Sequence, residues 1–195
     1  MFGATLSTET EASAVGAPGA NDDLRALIRT IPDFPKPGIM FRDITTLLLD
    51  AKGFALSIER MAAQVEGKID LVAGIEARGF IFAAALAAPL NAGVLLIRKD
   101  GKLPGATIAE DYALEYGTDR IAMHADACAP GATVLLVDDL IATGGTARAA
   151  VRLLRKAGAL VTQAGFLVDL PELGGADALR EDGIVVRSLV AFDGH

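Results

Sequence analysis

Residues 133–158 combine three features that few folds accommodate together. T-V-L-L-V (133–137) is the kind of short apolar run that forms a buried parallel strand. Two adjacent carboxylates, Asp138 and Asp139, follow it, and then the small or hydroxyl-bearing Ala142, Thr143, Gly144, Gly145 and Thr146. T-A-R-A-A-V-R-L-L-R-K-A-G (146–158) has helical periodicity and stops at Gly158, a residue suited to ending a helix. In open α/β sheets ligands gather outside the carboxyl ends of the strands, so both aspartates are expected at such an end. The loop beyond them leads into a helix N-terminus, where free N–H groups and the helix dipole favour an anion. Its glycines let the backbone approach a ligand, and Thr143 and Thr146 add hydroxyl donors.

Two familiar phosphate motifs do not fit. The G-x-x-x-x-G-K-[ST] loop needs a Lys beside Gly145, and none is there; G-x-G-x-x-G is also missing at this turn. An ordinary capped turn explains Gly-Gly-Thr. It does not explain two acids directly after an apolar strand, because their desolvation calls for a partner.

The same alternation runs along most of the chain. Asn21 is positioned to cap a helix carrying Leu24, Leu27 and Ile28, and 53–66 has helical periodicity. I-D-L-V-A-G-I (69–75), V-L-L-I (94–97), A-G-F-L-V-D-L (164–170) and I-V-V-R-S-L-V (184–190) read as strands, and F-I-F-A-A-A-L-A-A (80–88) as a helix. Residues 31–46, with three prolines and a glycine within seven positions, read as a stiff extended loop. Residues 98–118 are polar and weakly periodic, which predicts a loop or a two-stranded flap. The fold expected is α/β, with a mainly parallel sheet and helices on both faces.

Composition narrows the function. At 195 residues and 52% hydrophobic, the chain suits one globular domain over 21–195, preceded by a flexible extension at 1–20. A net charge of −7 argues against nucleic acid as a partner. The single Cys128 rules out an internal disulfide and points to the reducing cytoplasm. No apolar run approaches the ~20 residues that span a bilayer, and the first residues lack the basic and apolar regions of a signal peptide. His124 and His195 are isolated, with no metal-ligand spacing.

V-L-L-V-D-D-L-I-A-T-G-G-T resembles the phosphoribosyl pyrophosphate (PRPP) motif of the type I phosphoribosyltransferases. F-P-K-P-G-I-M-F-R-D-I-T, G-I-E-A-R-G-F-I-F, R-K-D-G-K-L-P-G and Y-A-L-E-Y-G-T-D, in this order, are similar to the adenine branch of that family. The resemblance runs from about Leu24 to the final F-D-G-H.

The resemblance implies a Mg²⁺-dependent reaction joining adenine N9 to C1 of PRPP, with release of pyrophosphate, through an oxocarbenium-like transition state. Residues Ala142, Thr143, Gly144, Gly145 and Thr146 would hold the 5′-phosphate, while Asp138 and Asp139 meet the ribose hydroxyls and favour the cationic sugar. Arg78 would bind pyrophosphate from a loop that in the family often contains a non-proline cis peptide. Arg98, Lys99 and Lys102 would belong to a mobile flap (about 98–119), partly serving the neighbouring subunit of a homodimer. Glu115 matches the family's acid/base candidate near purine N7, with Tyr116 beside it. Residues 31–46 and the C-terminal segment would form a hood in which Met40, Phe41 and Arg42 read adenine, and Phe41 and Leu140 would sandwich the ring. Mg²⁺ would be held mainly by PRPP, pyrophosphate and water, with no direct protein ligand.

Two other readings make different demands. A 6-oxopurine phosphoribosyltransferase would usually place a Lys or another dedicated side chain at the base. A PRPP-sensing regulator that binds DNA would need a helix-turn-helix and a basic face, which a chain of charge −7 does not offer.

Overall fold

The computed structural model describes residues 19–114 and 117–194. The N-terminal extension up to residue 18, Glu115, Tyr116 and His195 lie outside the described residues. The chain begins with a single helical turn, α1 (Asp22–Arg25), then β1 (Arg29–Pro32), β2 (Met40–Asp43), α2 (Thr45–Leu49) and α3 (Ala51–Ala63). It continues through β3 (Leu71–Ile75), α4 (Gly79–Leu90), β4 (Gly93–Lys99), β5 (Thr107–Leu114) and β6 (Gly117–His124). It closes with β7 (Thr133–Ile141), α5 (Gly145–Lys156), β8 (Leu160–Asp169), α6 (Gly175–Glu181) and β9 (Val185–Ala191).

Seven strands form one sheet in the order β5-β6-β4-β3-β7-β8-β9. The strands β4, β3, β7, β8 and β9 run parallel, and β6 and β5 extend the β4 edge antiparallel. One face is covered by α5 and α6, whose Leu153, Leu154 and Leu179 are fully buried against it. The other packs under α3 and α4, around Phe82, Leu86 and Met61. Helices on both faces of a mainly parallel sheet agree with the sequence reading. Among the described residues no helix is long and apolar enough to cross a membrane.

Small residues set how closely α4 lies on the sheet. A Cβ added to Gly74 of β3 would sit 2.7 Å from the Gly79 carbonyl and 2.8 Å from Ala83 Cβ. The alanine-rich composition of α4 thus has a packing reason. The helix axis rides on backbone rather than on side chains.

Several local expectations are revised. Asn21 makes no side-chain cap; its amide donates to the Leu189 carbonyl at 2.7 Å and its oxygen accepts from Arg60 at 2.8 Å, so it ties the first turn to β9 and α3. The helix there is one turn, because the chain turns away to enter β1. Residues 31–46 are not an extended loop throughout. Ile31 pairs with Phe41 and Thr30 with Arg42 in a two-stranded antiparallel ribbon that starts at Arg29. A two-stranded ribbon has only edges, and Pro32 stands at the end of its strand, where its missing N–H leaves no gap. In the polar segment, Arg98 and Lys99 still belong to β4, while β5 and β6 pair over eight positions, in agreement with the two-stranded alternative, and extend the sheet beyond β4 as far as His124. Helix α6 carries no apolar periodicity long enough to announce it, since it spans only seven residues.

The ribbon's root is fixed by Asp43. Arg29 donates to its carboxylate from Nε at 3.1 Å and from a terminal nitrogen at 2.5 Å, and the Thr45 amide donates at 2.9 Å. The Arg29 guanidinium, followed by the Thr45 bonds, holds the Asp43 carboxyl down to about 2. A carboxyl whose folded pKa lies below its unfolded one stabilises the fold above the unfolded value of about 4, and the effect disappears as pH falls toward 2. Asp43→Asn is therefore expected to lower the urea midpoint at about pH 6, with the gap to the parent protein narrowing steadily as pH falls toward about 2. Parallel urea titrations across that window check it.

Candidate active site

The site is built where β7 outruns its neighbour. β3 accompanies β7 only as far as Val137, whereas β8 stays paired with it to Ile141. Asp138 and Asp139 therefore lie inside β7, not after it. The ladder to β8 keeps residues 138–141 extended although two of them are acids. On the β3 side the strand is uncovered, and the start of α4 moves into that space. A Cβ on Gly79 would come within 2.8 Å of Asp138 Oδ1 and 3.0 Å of the Val137 carbonyl.

The two acids have different environments. Asp139 is 5% exposed, and Arg78 Nε donates to its Oδ2 at 2.5 Å. Burial works against the Arg78 charge, but the bond to Asp139 together with the charges of Asp139, Asp138 and Asp43 outweighs it, and the guanidinium pKa is raised. Asp138 lines a cleft, and its Oδ1 accepts the Asp139 amide at 2.9 Å. Burial first, and the Asp139 charge second, push the Asp138 carboxyl well above the usual carboxylate range. One acid is paired and the other is held toward its protonated form.

The loop after β7 forms one wall of the cleft: Ala142, Thr143, Gly144, Gly145 and Thr146 all face it, as do Lys99, Tyr112 and Leu140. Gly144 takes a left-handed conformation, φ +78, which turns the chain into α5. The loop rests on the start of α6, where the Gly175 amide donates to the Ala142 carbonyl at 3.0 Å. A Cβ on Gly175 would lie 2.3 Å from that carbonyl oxygen and 2.5 Å from the Gly144 nitrogen. The only sequence signal of this support is the Gly-Gly pair in E-L-G-G-A, which reads equally well as a plain turn.

The basic residues divide by their partners. Arg98 is occupied by Glu76, at 2.9 and 3.3 Å, and by the Lys102 carbonyl at 2.8 Å. Lys102 is exposed at the hairpin root. Lys99 lines the cleft, and its ammonium lies 3.0 Å from Asp119 Oδ2. Glu76 also accepts the Lys99 amide at 3.0 Å, so the 76–78 loop is tied to the end of β4. The Glu76–Ala77 peptide is cis.

A second cleft opens between the β1–β2 ribbon and Arg78, walled by Ile31, Phe34, Phe41, Asp43 and Thr45. Phe34 and Phe41 meet edge to face at 5.2 Å. Arg78 is thus shared between the two clefts' surroundings, through its pair with Asp139 on one side and the ribbon on the other. Phe41 and Leu140 line neighbouring clefts. Met40 is part-exposed beside Pro32. Arg42 also lines the cleft beside the ribbon, and its guanidinium is already engaged: it donates to Thr30 Oγ1 at 2.7 Å and the Asp193 carbonyl at 2.8 Å, and lies 4.5 Å over the Phe192 ring. That side chain fastens the C-terminal segment to the ribbon. Tyr112 and Asp119 stand at the two ends of the Y-A-L-E-Y-G-T-D stretch and Glu76 lies in G-I-E-A-R-G, but the sequence assigned them no role, and their placement depends on the hairpin's register and on the 76–78 loop.

Residues 45–188 match the phosphoribosyl transferase domain family. The chain belongs to that family. A curated phosphoribosyltransferase relative from Bradyrhizobium sp. strain ORS 278, named adenine phosphoribosyltransferase, is 60% identical over 174 residues, 89% of this chain and 97% of the relative. The crystal structure of adenine phosphoribosyltransferase from Thermoanaerobacter pseudethanolicus is similar with a TM-score of 0.85 at 48% identity, covering 89% of this chain and 100% of that one. The Saccharomyces cerevisiae enzyme of the same name, solved with an imino-altritol bisphosphate and adenine, gives 0.79 at 34% identity, covering 87% and 98%. As in other phosphoribosyltransferases of this type, the chain carries its PRPP-like motif on an α/β frame.

The contact between Gly175 and the 142–144 backbone leaves no room for a methyl group. Gly175→Ala is expected to destabilise this phosphoribosyltransferase by about 1–3 kcal/mol, the usual cost of overpacking where backbone must shift. Urea unfolding of the variant beside the parent protein measures it.

Proposed function

We propose that this chain transfers the phosphoribosyl group of PRPP to adenine, giving AMP and pyrophosphate. The observation that carries the reading is the joint placement of Asp138, Lys99 and the 142–146 loop on one cleft, with the neighbouring Asp139 holding Arg78, which lines the adjoining cleft. A ligand matched to that arrangement has an anion, a polyhydroxyl ring and a second anion in sequence. The names of the 60%-identical relative and of the similar solved structures support adenine as the acceptor.

The 5′-phosphate is assigned to residues 142–146, where amides at the start of α5 and the Thr143 and Thr146 hydroxyls donate. The ribose then lies over Asp138 and Asp139, which accept from its hydroxyls. Asp138 is held toward neutrality in the free site, and a ring that develops positive charge above it favours the carboxylate form. That difference acts in the transition state rather than in the ground state. Arg78, now spent on Asp139, has a fork that suits pyrophosphate as well, and the ribose hydroxyls offer Asp139 a replacement donor. Lys99 faces the same cleft, while Arg98 and Lys102 are assigned to the leaving group less directly, from the hairpin root.

The donor set suits Mg²⁺ carried by the substrate. Among the described residues no group of three His, Cys, Asp or Glu side chains could hold a metal, and Mg²⁺ characteristically binds through phosphates, water and at most one or two carboxylates. When bound it offsets charge on the leaving pyrophosphate.

Adenine is assigned to the ribbon side. Phe41, backed by Phe34, supplies an aromatic wall, and Leu140 of β7, on the neighbouring cleft, is assigned to the other face of the ring. Because the Arg42 side chain is engaged elsewhere, Met40, Phe41 and Arg42 would address the purine through main-chain groups. Backbone acceptors facing the 6-amino group would oppose a 6-oxo purine. Glu115 is assigned as the acid/base at N7 by its family position. A homodimer is proposed on the part-exposed Ile81, Val94 and Leu96 of α4 and β4, an apolar surface of the kind that partners cover. The cytoplasm is the compartment proposed, consistent with the free, buried Cys128.

With PRPP, Mg²⁺ and each purine base in turn, AMP and pyrophosphate are expected from adenine, and little turnover from guanine or hypoxanthine. Faster turnover with a 6-oxopurine would replace this reading with its nearest alternative. Glu115→Gln is expected to cut kcat by about 10²-fold or more, as loss of a general acid/base does, while PRPP affinity stays within about threefold. Steady-state kinetics and calorimetry read the two effects separately.

A further inference from the structure

Tyr112 is a buried phenol on the inner strand face of the β5–β6 hairpin, 8% exposed, yet it lines the cleft alongside Thr146 and Lys99. Its partner in register is Asp119, directly across the hairpin. The phenol donates to Asp119 Oδ2 at 3.0 Å, and the Lys99 ammonium reaches that same oxygen at 3.0 Å. Asp119 Oδ1 accepts the Arg120 amide at 2.8 Å, which orients the carboxylate from its own backbone.

An exposed Lys–Asp pair on its own does little to fix a flexible ammonium. Here the Lys99 side chain is 62% exposed, and Asp119 is 25% exposed. What distinguishes this pair is the third member. A phenol locked in the hairpin core anchors the acid, so the acid has one position to offer. An ammonium has three donors, and Lys99 can keep its bond to Asp119 while giving the others to a ligand. Arg98 next to it has no such freedom, because Glu76 and the Lys102 carbonyl occupy its fork.

We propose that Tyr112 is a positioning residue: by fixing Asp119 it holds the Lys99 ammonium over the cleft, where the diphosphate of PRPP would lie. The proposal rests on the reading that the cleft takes PRPP. A purely structural Tyr112, one more side chain of the hairpin core, would act on fold stability and not on one end of the ligand.

Calorimetric binding of PRPP with Mg²⁺, and of ribose 5-phosphate, separates the two because the second ligand lacks the diphosphate. Tyr112→Phe keeps the ring and removes the hydroxyl. It is expected to weaken PRPP by about fivefold to twentyfold, a fraction of the effect of a lost hydrogen bond to a charged group because the hydroxyl acts only through Asp119 and Lys99, with ribose 5-phosphate within about twofold. KM for PRPP should rise while kcat changes less. Asp119→Asn, at a part-exposed position, should do the same and serves if the Phe variant folds poorly. In Lys99→Ala the Tyr112→Phe change should add little further loss, because both act through one ammonium. Unchanged PRPP affinity in both hairpin variants, equal weakening of both ligands, or additive losses in the double variant would overturn the proposal while leaving the functional reading intact. A parent protein that binds neither ligand would overturn both.

Discussion

Asp139 sits almost wholly buried in an apolar strand, and a carboxylate in that position is unstable unless something donates to it. Arg78 is that donor, and its reach explains much of the surrounding architecture. It stands immediately before α4, so the ion pair fixes where the helix begins relative to β7. The 76–78 loop follows, since Glu76 at its other end is bound to Arg98 and to the Lys99 amide. One pair, a buried acid held by a half-exposed arginine, therefore sets the spacing of β7, α4 and the root of the hairpin. It also divides the labour of the acids, because Asp138 is left without a cation in hydrogen-bonding contact beside a charged neighbour.

The rest of the site's geometry is fixed by absence of side chains. Gly79 lets α4 approach Asp138, Gly74 lets the same helix lie on β3, and Gly175 lets α6 support the 142–144 loop. In each case the contact is backbone against backbone or backbone against carboxylate, where neighbours cannot rotate out of the way. Such contacts tolerate little displacement. A loop made of small residues would be floppy in isolation; against α6 the 142–146 loop has a rigid backing.

The sequence made the frame legible because strands and helices in an α/β fold carry opposite periodicities and β3, β4, β7, β8 and β9 are each short apolar runs. The motif around Asp138 was legible for the same reason: charges interrupting an apolar strand stand out. Other features were hidden. The true end of β7 depends on its ladder to β8, which no local pattern encodes. The β1–β2 ribbon was masked by its prolines, since a two-stranded ribbon tolerates them where a central strand would not. The part Asn21 plays is set by Leu189 and Arg60, both distant in the chain. Lys99 and Arg98 look alike in R-K-D-G-K, and only their partners, Asp119 and Glu76, tell them apart.

Those partners suggest how an acidic chain keeps a site for a polyanion. Arg78, Arg98 and Lys99 each rest on an acid, Asp139, Glu76 and Asp119 respectively. Clustered cations left bare would repel one another and wander; paired, they are held near the cleft at low electrostatic cost. A ligand with anions at both ends then exchanges one set of partners for another instead of neutralising naked charge. The exchange is easiest where the displaced acid gains a donor in return, as Asp139 would from ribose hydroxyls, and unnecessary where the cation has donors to spare, as Lys99 has. Glu76 has no such replacement in view, and this asymmetry makes Arg98 the cation most committed to structure and Lys99 the one most ready for a ligand.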